Sequence, residues 1–278
     1  MRVLVTGAAG RIGRATLELL SARGPVNALV LDDPGDLPAD LVVTGDASDP
    51  RAVAAALEGA DAVIHLAAIP TPEHEPAERV FAVNTQSTFT VLEQAGRAGV
   101  RRVCIAGSQA ASGIPFAAGE LHPAYAPIDA ALPSQAEDPY ALSKLVDEVT
   151  AGAMARRHGM SVVSVRLPFV GGFDERLLET AARCAADPSV NARGLWAYLE
   201  TRDAARACVL ALDVSRPGVH PVLVAAPETM AALPTEELMR RFHPRTELRR
   251  PMPGRTVPID LTVATDMLGF IPEYSIPR

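Results

Sequence analysis

Val3-Leu4-Val5-Thr6-Gly7-Ala8-Ala9-Gly10-Arg11-Ile12-Gly13 is the stretch that decides how the chain is read. A short apolar run enters three glycines spaced G-x-x-G-x-x-G, and a helical pattern follows from Arg11 to about Ala22. A strand that turns sharply into a helix gathers unpaired backbone N–H groups and the positive end of the helix dipole at one point, which suits a pyrophosphate. Gly7 serves the tight turn, Gly10 the close approach of a ligand, and Gly13 the packing of helix on strand. A glycine trio alone is weak evidence. Here the strand before it, the helix after it and an acidic residue further on all lie where that mechanism needs them.

Working outward, the second strand reads Asn27 to Leu31 and ends at Asp32-Asp33. Asp32 lies 19 residues after Gly13, close to the ~20 expected for the acid that holds an adenosine ribose. A carboxylate there accepts from both ribose hydroxyls and repels a 2′-phosphate, so NAD is favoured over NADP. Arg11 is the counter-argument, because a nearby Arg receives such a phosphate. Leu41 to Thr44 is the third strand, and Asp46 after it is placed to reach an adenine amino group. A helix from Arg51 to Leu57 leads to a fourth strand, Asp61 to Leu66, which runs into Ala67-Ala68, where small side chains let the backbone press against a cofactor. A long helix, Ala77 to Ala98, carries Asn84, a poor interior helix residue and so a candidate brace.

The fifth strand, Arg101 to Ala106, is followed by Gly107-Ser108. Residues 113–139 are rich in Pro and Ala without a period and read as a loop over the cleft. A helix from Pro139 to about His158 and a sixth strand, Ser161 to Arg166, come next, and Pro168 to Gly172 breaks the pattern. Helices are then expected at Asp174–Ala185, Arg202–Asp213, Thr235–Arg241 and Val263–Leu268, with a strand at Val219–Ala225. Strands alternating with helices through short links predict an α/β fold: a Rossmann-type doubly wound parallel sheet with helices on both faces, and a smaller C-terminal substrate lobe. The expected division is 1–166 for the dinucleotide-binding domain and 167–278 mainly for the lobe, with about 195–225 returning to the first domain.

Composition narrows the function classes. The 278-residue chain is 48% hydrophobic, enough for a large core, and has a formal net charge of -7. With a pI near 5.4 and no long basic run, neither nucleic acid nor an anionic membrane is an expected partner. No segment reaches the ~20 apolar residues of a membrane span. The three cysteines, Cys104, Cys184 and Cys208, are odd in number and widely spaced, which fits neither a disulfide framework nor a metal site and favours a reducing, cytoplasmic setting. His65, His74, His122 and His158 show no ligand spacing; His65 reads as strand-end packing, and His74 and His122 as candidate substrate contacts. Trp196 and Tyr198 read as lobe core. No metal is expected.

Lys144 is the single lysine beside 25 arginines. A chain that otherwise draws its positive charge from Arg has a compact ammonium here, not a planar fork. Tyr140 is four residues earlier, so the two share one helix face. A phenol with a free pKa of ~10 acts as a base near neutrality only when lowered, and a fixed ammonium one turn away does this. Ser108, at a strand end, is placed to orient a substrate hydroxyl or carbonyl against Tyr140.

With these residues in hand, the chain resembles extended short-chain dehydrogenases/reductases of the NAD-dependent epimerase/dehydratase family. The matching pieces are Thr6 to Gly13, Asp32, Gly45-Asp46, His65-Leu66-Ala67-Ala68, Asn84-Thr85, Ser108, Tyr140-Ala-Leu-Ser-Lys144, Arg166-Leu-Pro168, Arg202-Asp203-Ala-Ala-Arg206 and a tail at Ala264 to Pro272. The resemblance implies Ser108, Tyr140 and Lys144 as a catalytic trio, with Lys144 also on the nicotinamide ribose. It implies a cofactor site of Gly7, Gly10, Arg11, Ile12, Gly13, Asp32, Asp46, Ala47, Leu66, Ala67, Ala68, Asn84, Ala106, Tyr140, Lys144, Leu167 and Pro168. Substrate contacts would be Ser108, Gln109 and Tyr140, and the assembly a homodimer through the two long helices. In length, and in Leu195 to Asp203, the chain is somewhat similar to uronate-dehydrogenase-type members. The expected activity is NAD-dependent hydride transfer on a sugar, sugar acid or similar polyol. A nucleotide-sugar epimerase or dehydratase with tightly bound NAD is the alternative. That group's usual Asn after the sixth strand is absent, and only Arg249, Arg250 and Arg255 stand as candidates for its late diphosphate-binding Arg. A reductase of a larger apolar ketone and a non-catalytic dinucleotide sensor are the further rivals.

Overall fold

The computed structural model describes residues 1–277. Strand β1 (Val3–Thr6) and helix α1 (Arg11–Ser21) are followed by β2 (Val26–Val30), β3 (Leu41–Thr44), α2 (Pro50–Ala56) and β4 (Ala62–His65). Then come α3 (Ala77–Arg97), β5 (Arg102–Ser108), the short β6 (Tyr125–Ala126), α4 (Pro139–His158) and β7 (Ser161–Leu167). The last third holds β8 (Phe169–Gly171), α5 (Leu177–Ala186), β9 (Tyr198–Glu200), α6 (Thr201–Leu210), β10 (Gly218–Leu223), α7 (Thr235–Phe242), β11 (Glu247–Leu248) and α8 (Thr262–Leu268).

Seven strands form one parallel sheet in the order β10-β7-β5-β4-β1-β2-β3. It is covered on both faces, so its inner strands are near-continuous apolar runs. Alternate residues serve opposite layers: Val3 and Val5 pack with Leu17 and Leu20 of α1, Ala207 and Cys208 of α6 and Leu268 of α8. Leu4 packs with Val53 of α2, Leu92 of α3 and Met154 of α4. Helix α4 is well delimited. Asp138 caps its start by accepting from the Ala141 amide at 2.8 Å, Pro139 occupies the first turn, and Gly159 ends it in the left-handed region. β10 is an edge strand, which is why it accommodates Pro221.

A separate apolar cluster gathers around the fully buried Trp196, with Tyr125, Ile128, Leu177, Tyr198, Met239 and Ile259. Trp196 and Tyr198 are core there, as expected. Several expected bounds move. β5 runs on to Ser108, so this serine is the last strand residue. The helix expected from Asp174 starts at Leu177, because residues 172–176 form a turn closed by the Glu175 and Leu177 amides on the Gly172 carbonyl. The helix expected to reach Asp213 ends at Leu210 and continues as one 3-10 turn. Residues 168–172 do more than break a pattern: β8 pairs in parallel with β9. The loop at 113–139 contains β6, which pairs with β11. Each of these pairings is two or three residues long and joins segments far apart in sequence, so no local periodicity announces it.

Candidate active site

The carboxyl ends of β1, β4, β5 and β7 lie side by side in the sheet and carry, in turn, Gly7, the Leu66–Ala68 segment, Ser108 and Leu167-Pro168. The strand order reverses at β1, which opens a crevice at that edge. Gly7 has φ +65°, and a Cβ on it would stand 2.7 Å from the Ala67 nitrogen. A Cβ on Gly13 would stand 2.4 Å from the Gly7 carbonyl oxygen. Both positions therefore require glycine for backbone-to-backbone contact. Gly10 is different. Its nearest neighbour would be the Gly7 oxygen at 3.2 Å, and as the cap residue it gives no side-chain hydrogen bond to α1. The first-turn amides of an 11-residue helix are thus left for a ligand beside a turn lined only by hydrogen. This cradle fits a pyrophosphate.

Asp32 is exposed two residues past β2. Asp46 accepts from the Ser48 amide at 2.7 Å, while Ala47 is buried beside it. The two arginines of the α1 N-terminal turns are engaged. Arg14 pairs with Asp36 at 2.9 Å, and the Arg11 guanidinium reaches across to Glu175 in the turn before α5. That ion pair ties the glycine turn to the lobe side of the crevice.

Ser108 Oγ accepts from the Ala110 amide at 3.1 Å, which fixes the hydroxyl at the head of a short 3-10 turn. Ala110 packs in one small cluster with Tyr140, Val80, Ile69 and Phe116, and Phe116 meets the Tyr140 ring edge-on with centroids 5.7 Å apart. Lys144 Nζ lies 5.7 Å from the Tyr140 ring centroid. It is 5% exposed and pairs with Asp147 Oδ2 at 3.3 Å. Burial alone would depress the lysine, but the Asp147 carboxylate, with Tyr140 and Glu148, outweighs it and holds the ammonium above the ordinary lysine range. Burial pushes Asp147 up against the pull of that ammonium.

Asn84 acts as a brace. Its amide accepts from the Ile69 N–H at 2.8 Å, donates to the Ile69 carbonyl at 3.1 Å, and donates to Ser143 Oγ of α4 at 3.0 Å. It locks the segment after β4 to the helix that bears Tyr140 and Lys144. Gln109, expected beside the substrate, is buried and donates to the Gly194 carbonyl at 3.2 Å. His74 is exposed. His122 Nδ1 stands 3.1 Å from His243 Nδ1, so it is occupied inside the lobe. His65 is buried, as its packing reading required.

Sequence reasoning missed several residues that shape this region. Asp147 carries no motif. Arg193 donates to the Ala117 carbonyl, and Arg176 donates to the Val170 carbonyl at 2.8 Å with its guanidinium over the Phe169 ring. Leu195 and Trp196 adopt φ of +57° and +53°, a costly conformation for bulky residues, in the turn that receives Gln109. Cys104 and Cys208, distant in sequence, meet side by side between β5 and α6. Among the described residues no group of His, Cys, Asp and Glu is set to hold a metal.

The model of the NAD dependent epimerase/dehydratase family matches residues 3–225. The chain belongs to that family. The family and its named members make it an NAD-dependent enzyme, in keeping with the glycine cradle. It is 32% identical over 179 residues to L-arabinose 1-dehydrogenase (NAD(P)(+)) of Haloferax volcanii, covering 63% of this chain and 69% of that protein. It is 34% identical over 171 residues to uronate dehydrogenase of Pseudomonas putida, covering 60% of each. The chain thus spans about 60% of the length of that second relative. Among solved structures, MoeE5 in complex with UDP-glucose and NAD superposes with a TM-score of 0.70 at 24% identity, over 99% of this chain and 95% of that one. This likeness is one of fold.

Proposed function

We propose that the protein is an NAD-dependent dehydrogenase of a free sugar or sugar acid, with Ser108, Tyr140 and Lys144 as its catalytic groups. The observation that carries this reading is the buried pairing of Tyr140 with the chain's single lysine, packed through Ala110 against the turn that Ser108 heads at the carboxyl edge of the sheet. The glycine turn and the α1 N-terminus hold the pyrophosphate, Asp32 the adenosine ribose, and Lys144 the nicotinamide ribose. When bound, NAD supplies the hydride acceptor. The Ser108 hydroxyl and Tyr140 oxygen hold the substrate hydroxyl between them. Tyr140, as phenolate, takes the O–H proton while the carbon bearing it gives up its hydride, so the alcohol becomes a carbonyl. The Lys144 ammonium favours the phenolate and orients the ribose. Positioning and proton transfer supply most of the acceleration.

The named relatives, L-arabinose 1-dehydrogenase and uronate dehydrogenase, support free sugars over nucleotide sugars. So do the late arginines. Arg249 lies over the Tyr125 ring, Arg250 pairs with Asp260 at 3.3 Å, and Arg255 pairs with Glu228. All three are committed within the lobe. The deciding assay offers NAD with L-arabinose, D-galacturonate and UDP-glucose. NADH formation with a free sugar supports the reading. Stoichiometric NAD released on denaturation, with UDP-sugar interconversion and no net NADH, favours the epimerase instead.

A homodimer is part of the same proposal. Phe89 on α3 and Leu142 and Val149 on α4 are 46%, 44% and 73% exposed, an apolar stripe across two neighbouring helices that a second copy covers. No helix of the described residues is long and apolar enough to cross a membrane. Three free, buried cysteines support a cytoplasmic setting.

A further inference from the structure

Asp147 is 3% exposed, sits one turn beyond Lys144, and accepts from its ammonium at 3.3 Å. Its second oxygen, Oδ1, is buried with no hydrogen-bond partner among the described residues. A buried carboxylate half satisfied in this way is costly unless its charge has a use. The surrounding polar groups point the same way. The Thr88 hydroxyl of α3 faces the carboxylate, and Thr88 Oγ1 lies 3.3 Å from His65 Nε2. His65 Nδ1 lies 2.7 Å from Thr6 Oγ1, which accepts from the Ala67 amide at 3.3 Å. Thr6, His65 and Thr88 thus form a buried hydrogen-bonded chain that leads from the segment after β4 to α3. The neutral His65 of this chain brings no second charge to the Lys144–Asp147 pair, so the Asp147 carboxylate faces the ammonium alone.

We propose that Asp147 is a positioning residue for the Tyr140–Lys144 pair: it fixes the ammonium on the helix face and offsets part of its charge, and so sets the pH at which the Tyr140 phenol ionises. The inference rests on the dehydrogenase reading of Tyr140. The charged and titratable groups around the ammonium are Tyr140, Asp147 and Glu148 of α4 and His65 of β4. Glu148 is tied to Arg166 of β7 at 2.7 Å, and the buried His65 stays neutral, its pKa pushed down to about 3 by burial and by Lys144. Asp147 is therefore the anion left free to act on Lys144. Without it the ammonium exerts its full field on the phenol, and the phenolate forms at lower pH.

The test is a near-ultraviolet difference titration of phenol ionisation on the full chain with saturating NAD. Subtracting the Tyr140→Phe titration removes Tyr125, Tyr198 and Tyr274 and isolates Tyr140. No substrate is needed. Asp147→Asn, referenced to its own Tyr140→Phe double variant, is expected to lower the Tyr140 midpoint by about one pH unit. Asp147→Ser gives the same shift and serves if the Asn variant does not fold. Asp147→Glu is expected to keep the wild-type midpoint. A midpoint that is unmoved or raised in the neutral variants, or displaced equally by Asp147→Glu, overturns the role of Asp147. A Tyr140 that does not ionise below the ordinary phenol range in the wild type overturns the catalytic reading itself.

Discussion

At the residue scale, the strongest constraint is the identity of position 144. Its ammonium is 5% exposed, beside the Tyr140 ring and paired with Asp147, and so tight a site suits a point charge, not a fork. Tyr140→Phe is expected to reduce turnover by about 10²–10⁴-fold while NAD affinity, measured by NADH fluorescence, stays near wild type. Lys144→Ala lowers both, and Lys144→Arg does not restore them. Asp32→Ala is expected to narrow the preference for NAD over NADP by about tenfold, or ~1.4 kcal/mol, read from the ratio of kcat/KM values. His65 gives a pH prediction with a definite sign. Its pKa falls from 6.5 to about 3 in the folded protein, whereas the unfolded chain takes up the proton near the ordinary value. Acid therefore favours the unfolded state as pH drops from 6.5 toward 3, by on the order of 4–5 kcal/mol across that window. The melting temperature should decline over this range, and His65→Gln should flatten the decline while being less stable at pH 7. The glycine turn and the Tyr140–Lys144 pair were legible in the sequence because each rests on local spacing along one turn or one helix face. Phe116 and the occupied Gln109 were not, because each is defined by a partner that the chain brings from elsewhere, and Asp147, though only three residues from Lys144, belongs to no motif and shows its role only through its burial.

At the element scale, the sheet strands and long helices were readable from burial periodicity and from caps such as Asp138-Pro139 and Gly159. β8, β9, β6 and β11 escaped because two- and three-residue ladders carry no period of their own. The turn at 172–176 escaped too; through Glu175 and Arg11 it is tied to the start of α1. Both side chains are more than a third exposed, so the pair contributes little to stability. Glu175→Gln should leave the melting temperature unchanged and speed NADH release about threefold, as stopped-flow fluorescence would show.

At the scale of the whole molecule, two cores share one chain. One fills the layers on both faces of the parallel sheet, and the other surrounds Trp196, with the crevice bordered by segments from each. The outward stripe on α3 and α4 predicts association. Val149→Asp should shift the protein to the mass of one chain in size-exclusion chromatography with light scattering, without loss of helical circular dichroism.

One consequence of the sheet order concerns synthesis. β7 ends at Leu167, yet its outer neighbour, β10, begins only at Gly218. At translation rates of ~5–20 residues per second, a ribosome needs several seconds to supply that missing partner. For that interval the fully buried run Ser161–Leu167 is an open, apolar edge with unpaired amides, the kind that seeks strands on other chains. The nascent protein is thus most vulnerable to aggregation after the first six strands of the sheet are made and before β10 closes the open side of β7.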